Sequence, residues 1–441
     1  MKMRNNLLAS ALMLALSVPA GAADLLDIYR RAQEADPQIA NAAAAYGAAL
    51  QARPLARSNL MPKLSAGALY SQASTDTQSD NPALDTGSVD TDTTEYNLSL
   101  IQPIYHHDYF AQLSQADASI AQADVQYTAA QQDLIVRAAN AYFGVLAAED
   151  NLRFTEAQRT AFEQQLRQTR QRFEVGLTAI TDVREAQARY DLSVSQEIAA
   201  RNQLITASEQ LRELTGEEYE SLAKLGEIPL VVPEPANVDN WVSTAMEQNL
   251  QLLAAEAFSR VQRDQIRIQR AQRYPTLDLT ARVGRTERDT GPTTEVDNSV
   301  VGINLNFPFY QGGLISARTR QAEFQHQQAL AQLDQQRRAT VRQTRDAYNR
   351  VQAGISQVEA LRQAVISAQT ALDATQAGYE VGTRTAVDVL DAQQQLYSAQ
   401  SEYASARYNY VLSTLQLKQA AGTLMPEDVA LVNAWLTGNA P

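Results

Sequence analysis

Residues Arg172–Gly216 read RFEVGLTAITDVREAQARYDLSVSQEIAARNQLITASEQLRELTG, and residues Gly378–Gly422 read GYEVGTRTAVDVLDAQQQLYSAQSEYASARYNYVLSTLQLKQAAG. At an offset of 206 residues, Glu174-Val175-Gly176 matches Glu380-Val381-Gly382, Asp182-Val183 matches Asp388-Val389, and Ala186-Gln187 matches Ala392-Gln393. Ala141-Tyr142 returns as Ala347-Tyr348 at the same spacing. With small shifts, Pro62-x-Leu64 pairs with Pro275-x-Leu277 and Pro103-x-Tyr105 with Pro308-x-Tyr310. A period near half the chain marks one duplicated fold unit. The two copies are placed at 23–232 and 233–424, followed by a tail at 425–441.

Working outward, the stretch from Phe110 to Val175 contains no proline and one glycine, Gly144. Leu314 to Val381 again has no proline, with Gly354 and Gly378 its only glycines. At 1.5 Å per residue each can form a helix about 100 Å long. Such a rod needs a coiled-coil partner. Tyr348, Val351, Ile355, Val358, Val365, Ala368, Leu372 and Tyr379 supply the near-heptad stripe that provides one. Gly176 and Gly382 stop these helices. Return helices then open with Asp182 and Asp388 in their first turns and end at Gly216 and Gly422.

Between the helices, Leu64–Tyr70, Tyr96–Leu100, Leu277–Val283 and Val301–Phe307 alternate apolar and polar residues, the period of a strand with one apolar face. Hairpins are therefore expected at about 64–101 and 277–307. Ser71–Glu95 and Arg285–Ser299, rich in Thr, Asp, Ser and Gly, are read as long solvated loops. Pro62, Pro103, Pro275 and Pro308 are placed at strand–helix junctions. Each half thus reads helix, strand, loop, strand, long helix, return helix. Four strands cannot close a membrane barrel, because open edges in lipid leave backbone groups unpaired. If the hairpins enter lipid, three chains sharing one barrel give about twelve strands, within the known range.

The chain opens with Lys2 and Arg4, an apolar run Leu7–Val18 and Ala20-Gly21-Ala22. That is the pattern of a secretory signal peptide over 1–22, too short in its apolar part for a spanning anchor. There is no cysteine, hence no disulfide, thiolate metal site or lipidated N-terminal cysteine. A net charge of −13 argues against a nucleic-acid partner. His106-His107 and His326 have no third ligand at metal spacing. No phosphate loop, nucleophile elbow or HExxH run is present, so an enzyme is not expected and no cofactor is implied. A periplasmic coiled-coil adaptor without a pore remains the alternative from composition, although it leaves the two hairpins unexplained.

Several motifs together resemble the TolC family of outer-membrane efflux and type I secretion channels: Leu25-x-x-Ile28-Tyr29 with Asp36-Pro37, Ala141-Tyr142-Phe143-x-Val145-Leu146, Arg172-Phe173-x-Val175-Gly176, Ala179-Ile180-Thr181-Asp182-Val183, Leu305-x-Phe307-Pro308-x-Tyr310-Gln311-Gly312-Gly313 and Val381-Gly382-Thr383-Arg384-Thr385 with Val387–Ala392. The resemblance covers nearly the whole chain after the signal peptide. It implies an α+β membrane protein, a homotrimeric channel-tunnel whose 12-stranded β-barrel continues as a long coiled-coil α-barrel into the periplasm of a Gram-negative bacterium. It implies a passive exit duct in the outer-membrane lipid. Such a duct docks a periplasmic adaptor and an inner-membrane pump of the RND, MFS or ABC type, for drugs or secreted proteins.

The same resemblance assigns site residues. Asp182 and Thr181 would meet Arg384, and Tyr379 would reach Gln165 and Asp182, closing the tip of the coiled coils. Asp388 and Asp391 would ring the narrow entrance. Spacing alone leaves two readings of these acids open: i and i+3 share a helix face and could form stacked rings, but aspartate in a first helical turn is also ordinary dipole compensation.

Overall fold

The computed structural model describes residues 22–77 and 87–437. The expected signal peptide falls almost wholly outside these residues, as do the middle of Ser71–Glu95 and the end of the tail. The chain folds as two compact units. No helix among the described residues is long and apolar enough to cross a membrane.

One unit comprises 40–131 and 242–344. Its sheet is built from β1 (Lys63–Thr77), β2 (Gly87–Tyr105), β4 (Thr276–Asp289) and β5 (Thr293–Asn306), all antiparallel, in the order β1-β2-β4-β5. A two-residue β3 (Lys224–Leu225) belongs to the other unit. The register places Leu64, Leu100, Ala281 and Val301 in one row, and Ala66, Leu98, Val283 and Ser299 in the next. Leu279 with Ile303 and Leu277 with Leu305 continue the same face. Leu64, Leu98, Val283, Val301, Ile303 and Leu305 are all exposed large apolar side chains in the single chain. Leu277 to Val283 forms an apolar band about 20 Å long along the strand. Tyr96 and an Arg285–Asp297 ion pair (2.8 Å) close the band at one end.

The strands run further than their apolar alternation. The loops expected at Ser71–Glu95 and Arg285–Ser299 are instead largely strand: β4 and β5 leave only 290–292 as a turn. Threonine-rich segments suit a pleated backbone once neighbouring strands supply the ladder, whatever their polarity. Pro103 lies inside β2 rather than at its end, where the register shifts between Pro103 and Tyr105.

The other unit comprises 22–39, 132–241 and 345–437 among the described residues. It holds α1 (Leu25–Ala35), α5 (Ile180–Thr215), α9 (Ala386–Ala421), α10 (Pro426–Asn433) and one end of each long helix, α4 (His107–Glu174) and α8 (Leu314–Glu380). β3 pairs with β6 (Leu436–Thr437), so the tail is folded: a helix and a strand pin it to this unit. The opening helix of each repeat is broken. α1 stops at Asp36 before α2 (Pro37–Leu50), and α3 (Ala52–Ser58) follows; α6 (Val238–Gln248) stops before Asn249, which caps α7 (Leu250–Ala271). Each repeat therefore opens with at least two helices instead of one. Within the stripe of α8, Tyr348, Val351, Val358 and Leu372 are buried.

Candidate functional site at the helical turns

The sequence directs attention to the two turns joining long helix to return helix. In the first, Gly176 takes φ 79°, while Gly176 N–H donates to Phe173 O (2.9 Å) and Leu177 N–H to Arg172 O (2.8 Å). In the second, Gly382 takes φ 80°, with Gly382 N–H to Tyr379 O (3.2 Å) and Thr383 N–H to Gly378 O (2.8 Å). Both are Schellman stops, in which a left-handed residue lets two N–H groups fold back onto the last helical carbonyls. Glycine is required because a Cβ at positive φ is strained.

Two apolar clusters seat the turns. Phe162 and Leu166 of α4 pack with Ala186 of α5 and Leu390 of α9, with Tyr190 alongside. Leu372 of α8 packs with Val389, Ala392 and Leu396 of α9, with Val365, Ala368 and Tyr379 against them. α9 thus serves both helix pairs through adjacent residues.

Beside these clusters lies a cleft of about 560 Å³ lined by glutamines, including Gln164, Gln165 and Gln168 of α4 and Gln393 of α9, together with Arg172 and Tyr379. Gln165 and Tyr379, expected to meet, do share this cleft. No hydrogen bond joins them among the described residues: Gln165 is buried with its Nε2 unpartnered, and the Arg172 guanidinium lies 4.4 Å over the Tyr379 ring. Asp182 accepts from the Thr178 hydroxyl in its own turn, and Thr181 is exposed. Arg384 is exposed beyond the second turn, its stem lying over Gly378, where a built Cβ would approach Arg384 Cγ to 2.8 Å.

Asp388 and Asp391 are held differently. Asp388 closes a capping box: its Oδ2 accepts from Thr385 N–H (2.8 Å) and Thr385 Oγ1 (2.9 Å), while Asp388 N–H donates back to Thr385 Oγ1 (3.2 Å). The backbone bond from Thr385, then the Thr385 hydroxyl and more weakly the charge of Arg384, hold its carboxyl below the usual aspartate range. Asp391 instead accepts from Arg189 Nη2 at 2.8 Å, and Arg189 Nη1 reaches Gln394 Oε1 at 2.7 Å. Arg172 enters only as the first residue of a family motif, and Arg189 and Thr178 carry no sequence signal of their own. Thr385 does: Thr-x-x-Asp before an apolar run is a capping signature. The adjacent histidines lie in the other unit, where His106 Nε2 sits 2.9 Å from Asp278 Oδ1 and the ring stacks on Tyr109.

With this geometry in hand, comparison with known proteins identifies relatives. A family described as outer membrane efflux protein matches residues 28–217 and 241–423, one block for each repeat. Outer membrane protein TolC of Vibrio cholerae is 40% identical over 98% of this chain and 98% of its own length. The alkaline protease secretion protein AprF of Pseudomonas aeruginosa is 33% identical over 98% of this chain and 92% of its own. Among solved structures, the outer membrane channel CmeC of Campylobacter jejuni superposes with a TM-score of 0.78 at 17% identity, covering 94% of this chain and 90% of that one. The folds agree, and nothing supports the poreless adaptor reading.

Proposed function

The chain belongs to the outer membrane efflux protein family, and from that premise we infer that it is a trimeric exit duct of the outer membrane, extending into the periplasm and serving efflux and type I secretion. The observation that carries this is the match of both repeats to the family, with relatives aligned end to end. The sheet fits the same reading. Its outward apolar rows suit lipid, and its edge strands β1 and β5 are the ones a neighbouring copy would pair, giving a 12-stranded barrel from three chains.

The duct works with a periplasmic adaptor and an inner-membrane pump. The pump is of the RND, MFS or ABC type, the last suggested by a relative named for protease secretion. Transport through the duct is passive, and its state is set at the turns. Arg384, exposed at the second turn, would reach Asp182 and Thr181 across the tip when the gate is closed, and Tyr379 and Gln165 both line the nearby cleft. Each such exposed contact contributes about 0–1 kcal/mol, but three symmetry copies together can bias a two-state gate. Asp388 and Asp391, on one face of α9, give the entrance its negative field and a preference for cations.

Single-channel conductance in a planar bilayer tests this. Wild type is expected to conduct weakly, and Arg384→Ser with Tyr379→Phe to conduct clearly more. Equal conductance would retain the channel and remove the gate. No pore in either would remove the duct.

A further inference from the structure

Outside the gate residues, one charged pair at the tip lacks an explanation. Arg189 extends from α5 across to α9 and holds Asp391 with one guanidinium nitrogen and Gln394 with another. Neither end is deeply buried, with side-chain exposures of 29% and 49%. The pair therefore adds little stability, as is usual for exposed ion pairs. Its effect on charge is larger. Asp388 spends its carboxylate on local hydrogen bonds that leave it ionised, whereas Asp391 has a full positive charge within contact distance.

The duplication shows that this pairing is not simply inherited by both halves. At the repeat offset, Asp391 corresponds to Glu185 and Arg189 to Gln395. The acid is kept in both copies and the cation in only one. Within the described chain Glu185 is exposed.

We propose that Arg189 is a specificity-determining residue of the entrance: by masking Asp391 it sets how strongly the duct prefers cations and how tightly a multivalent cation lodges there. This rests on the reading of Asp388 and Asp391 as the acidic entrance. The physical basis is direct. A guanidinium in contact with a carboxylate cancels most of its field at distances beyond the pair, so each chain presents closer to one net negative charge than two. Removing the guanidinium unmasks the second. Three chains multiply the difference.

The test uses the full-length trimer in planar bilayers, comparing wild type, Arg189→Gln, Arg189→Lys, Arg189→Gln with Asp391→Asn, and Asp388→Asn with Asp391→Asn. Two quantities are read: the reversal potential in a KCl gradient and the La³⁺ concentration that halves the current. Arg189→Gln is expected to raise the K⁺ over Cl⁻ preference and to lower the half-blocking La³⁺ concentration about threefold or more, following the added charge. Adding Asp391→Asn should cancel both shifts, and Arg189→Lys, which keeps the charge but not the forked contact, should stay near wild type. A purely structural staple would leave the reversal potential of Arg189→Gln unchanged, and that result overturns the proposal. If the double aspartate variant itself keeps wild-type block and selectivity, the acidic entrance fails and the proposal falls with it. If that variant loses block while Arg189→Gln matches wild type, the entrance stands and Arg189 has no such role.

Discussion

The two turns are the same device twice over, yet they are finished differently. Both stop a long helix on a left-handed glycine with the same pair of fold-back bonds. The return helices then begin unequally. α5 has Ala179 at its N-cap with no side-chain bond to the helix, whereas α9 has Thr385 in a reciprocal capping box with Asp388. The second turn also gathers more bonds on one carbonyl, since Gly378 O receives Thr383 N–H, Arg384 N–H (3.2 Å) and the Thr383 hydroxyl (3.0 Å). The stop is generic, and the restart is where the copies diverged. The divergence makes the Arg384 turn the better-anchored one.

The shared part should break equally in both turns. Gly176→Ala and Gly382→Ala each force a Cβ into positive φ, so each is expected to lower the local opening free energy of its turn by about 1–2 kcal/mol. Hydrogen exchange of the turn amides in the trimer measures this, and unequal losses would show that the two stops are not equivalent. The unshared part comes next. Thr385→Ala removes the side-chain half of the capping box and should cost the α9 start about 1 kcal/mol, while Ala179→Ser should gain the α5 start up to a similar amount. Opposite signs at repeat-related positions would confirm that capping distinguishes the copies. A loss at both would mean that Ala179 is fixed by something other than its missing cap.

Much of this architecture was legible in the sequence, because duplication, glycine stops and heptad stripes are local signals. The long helices, the return helices ending at Gly216 and Gly422, and the apolar strand rows around Leu64, Leu98, Val283 and Ile303 follow from spacing. The outer parts of the hairpins did not. Thr91–Thr94 and Thr293–Val296 read as loop because their polarity hides a strand whose partners are set by long-range register. Nor could the sequence show that Asp391 is held by Arg189, because the two lie about 200 residues apart and meet only through the packing of α5 on α9. Asp388 illustrates the intermediate case: its place in the first turn was plain, and its partner Thr385 stood three residues away.

A smaller effect concerns the contact that spans the two turns. Arg172 of the first stacks on Tyr379 of the second. Arg172→Gln should release the ring at a cost of about 0.5–1 kcal/mol, whereas Tyr379→Phe keeps the face of the ring and should cost less than that. Exchange rates at Gly382 and Thr383 separate the two outcomes. If Tyr379→Phe proves the more damaging, the hydroxyl rather than the ring face carries the contact.

The smallest effect is the one that pH can switch. Hydrogen bonds from Thr385 depress the Asp388 carboxyl in the folded chain. A depressed carboxylate adds stability that is fully present above its unfolded value, about pH 4, and is lost as pH falls through the lower folded value. The α9 start should therefore keep its protection through neutral and mildly acidic conditions and give it up only below about pH 4. In Asp388→Asn that acid step should vanish, since no proton can be taken up at that position, and in Thr385→Ala it should shrink but persist, since the hydroxyl bond is lost while the larger cause, the backbone bond, remains. Protection at Thr385–Asp388, corrected for the intrinsic pH dependence of exchange, reads all three. An acid step that survives intact in Asp388→Asn would place the titrating group elsewhere in the turn and remove the capping box as the reason the second restart is the firmer of the two.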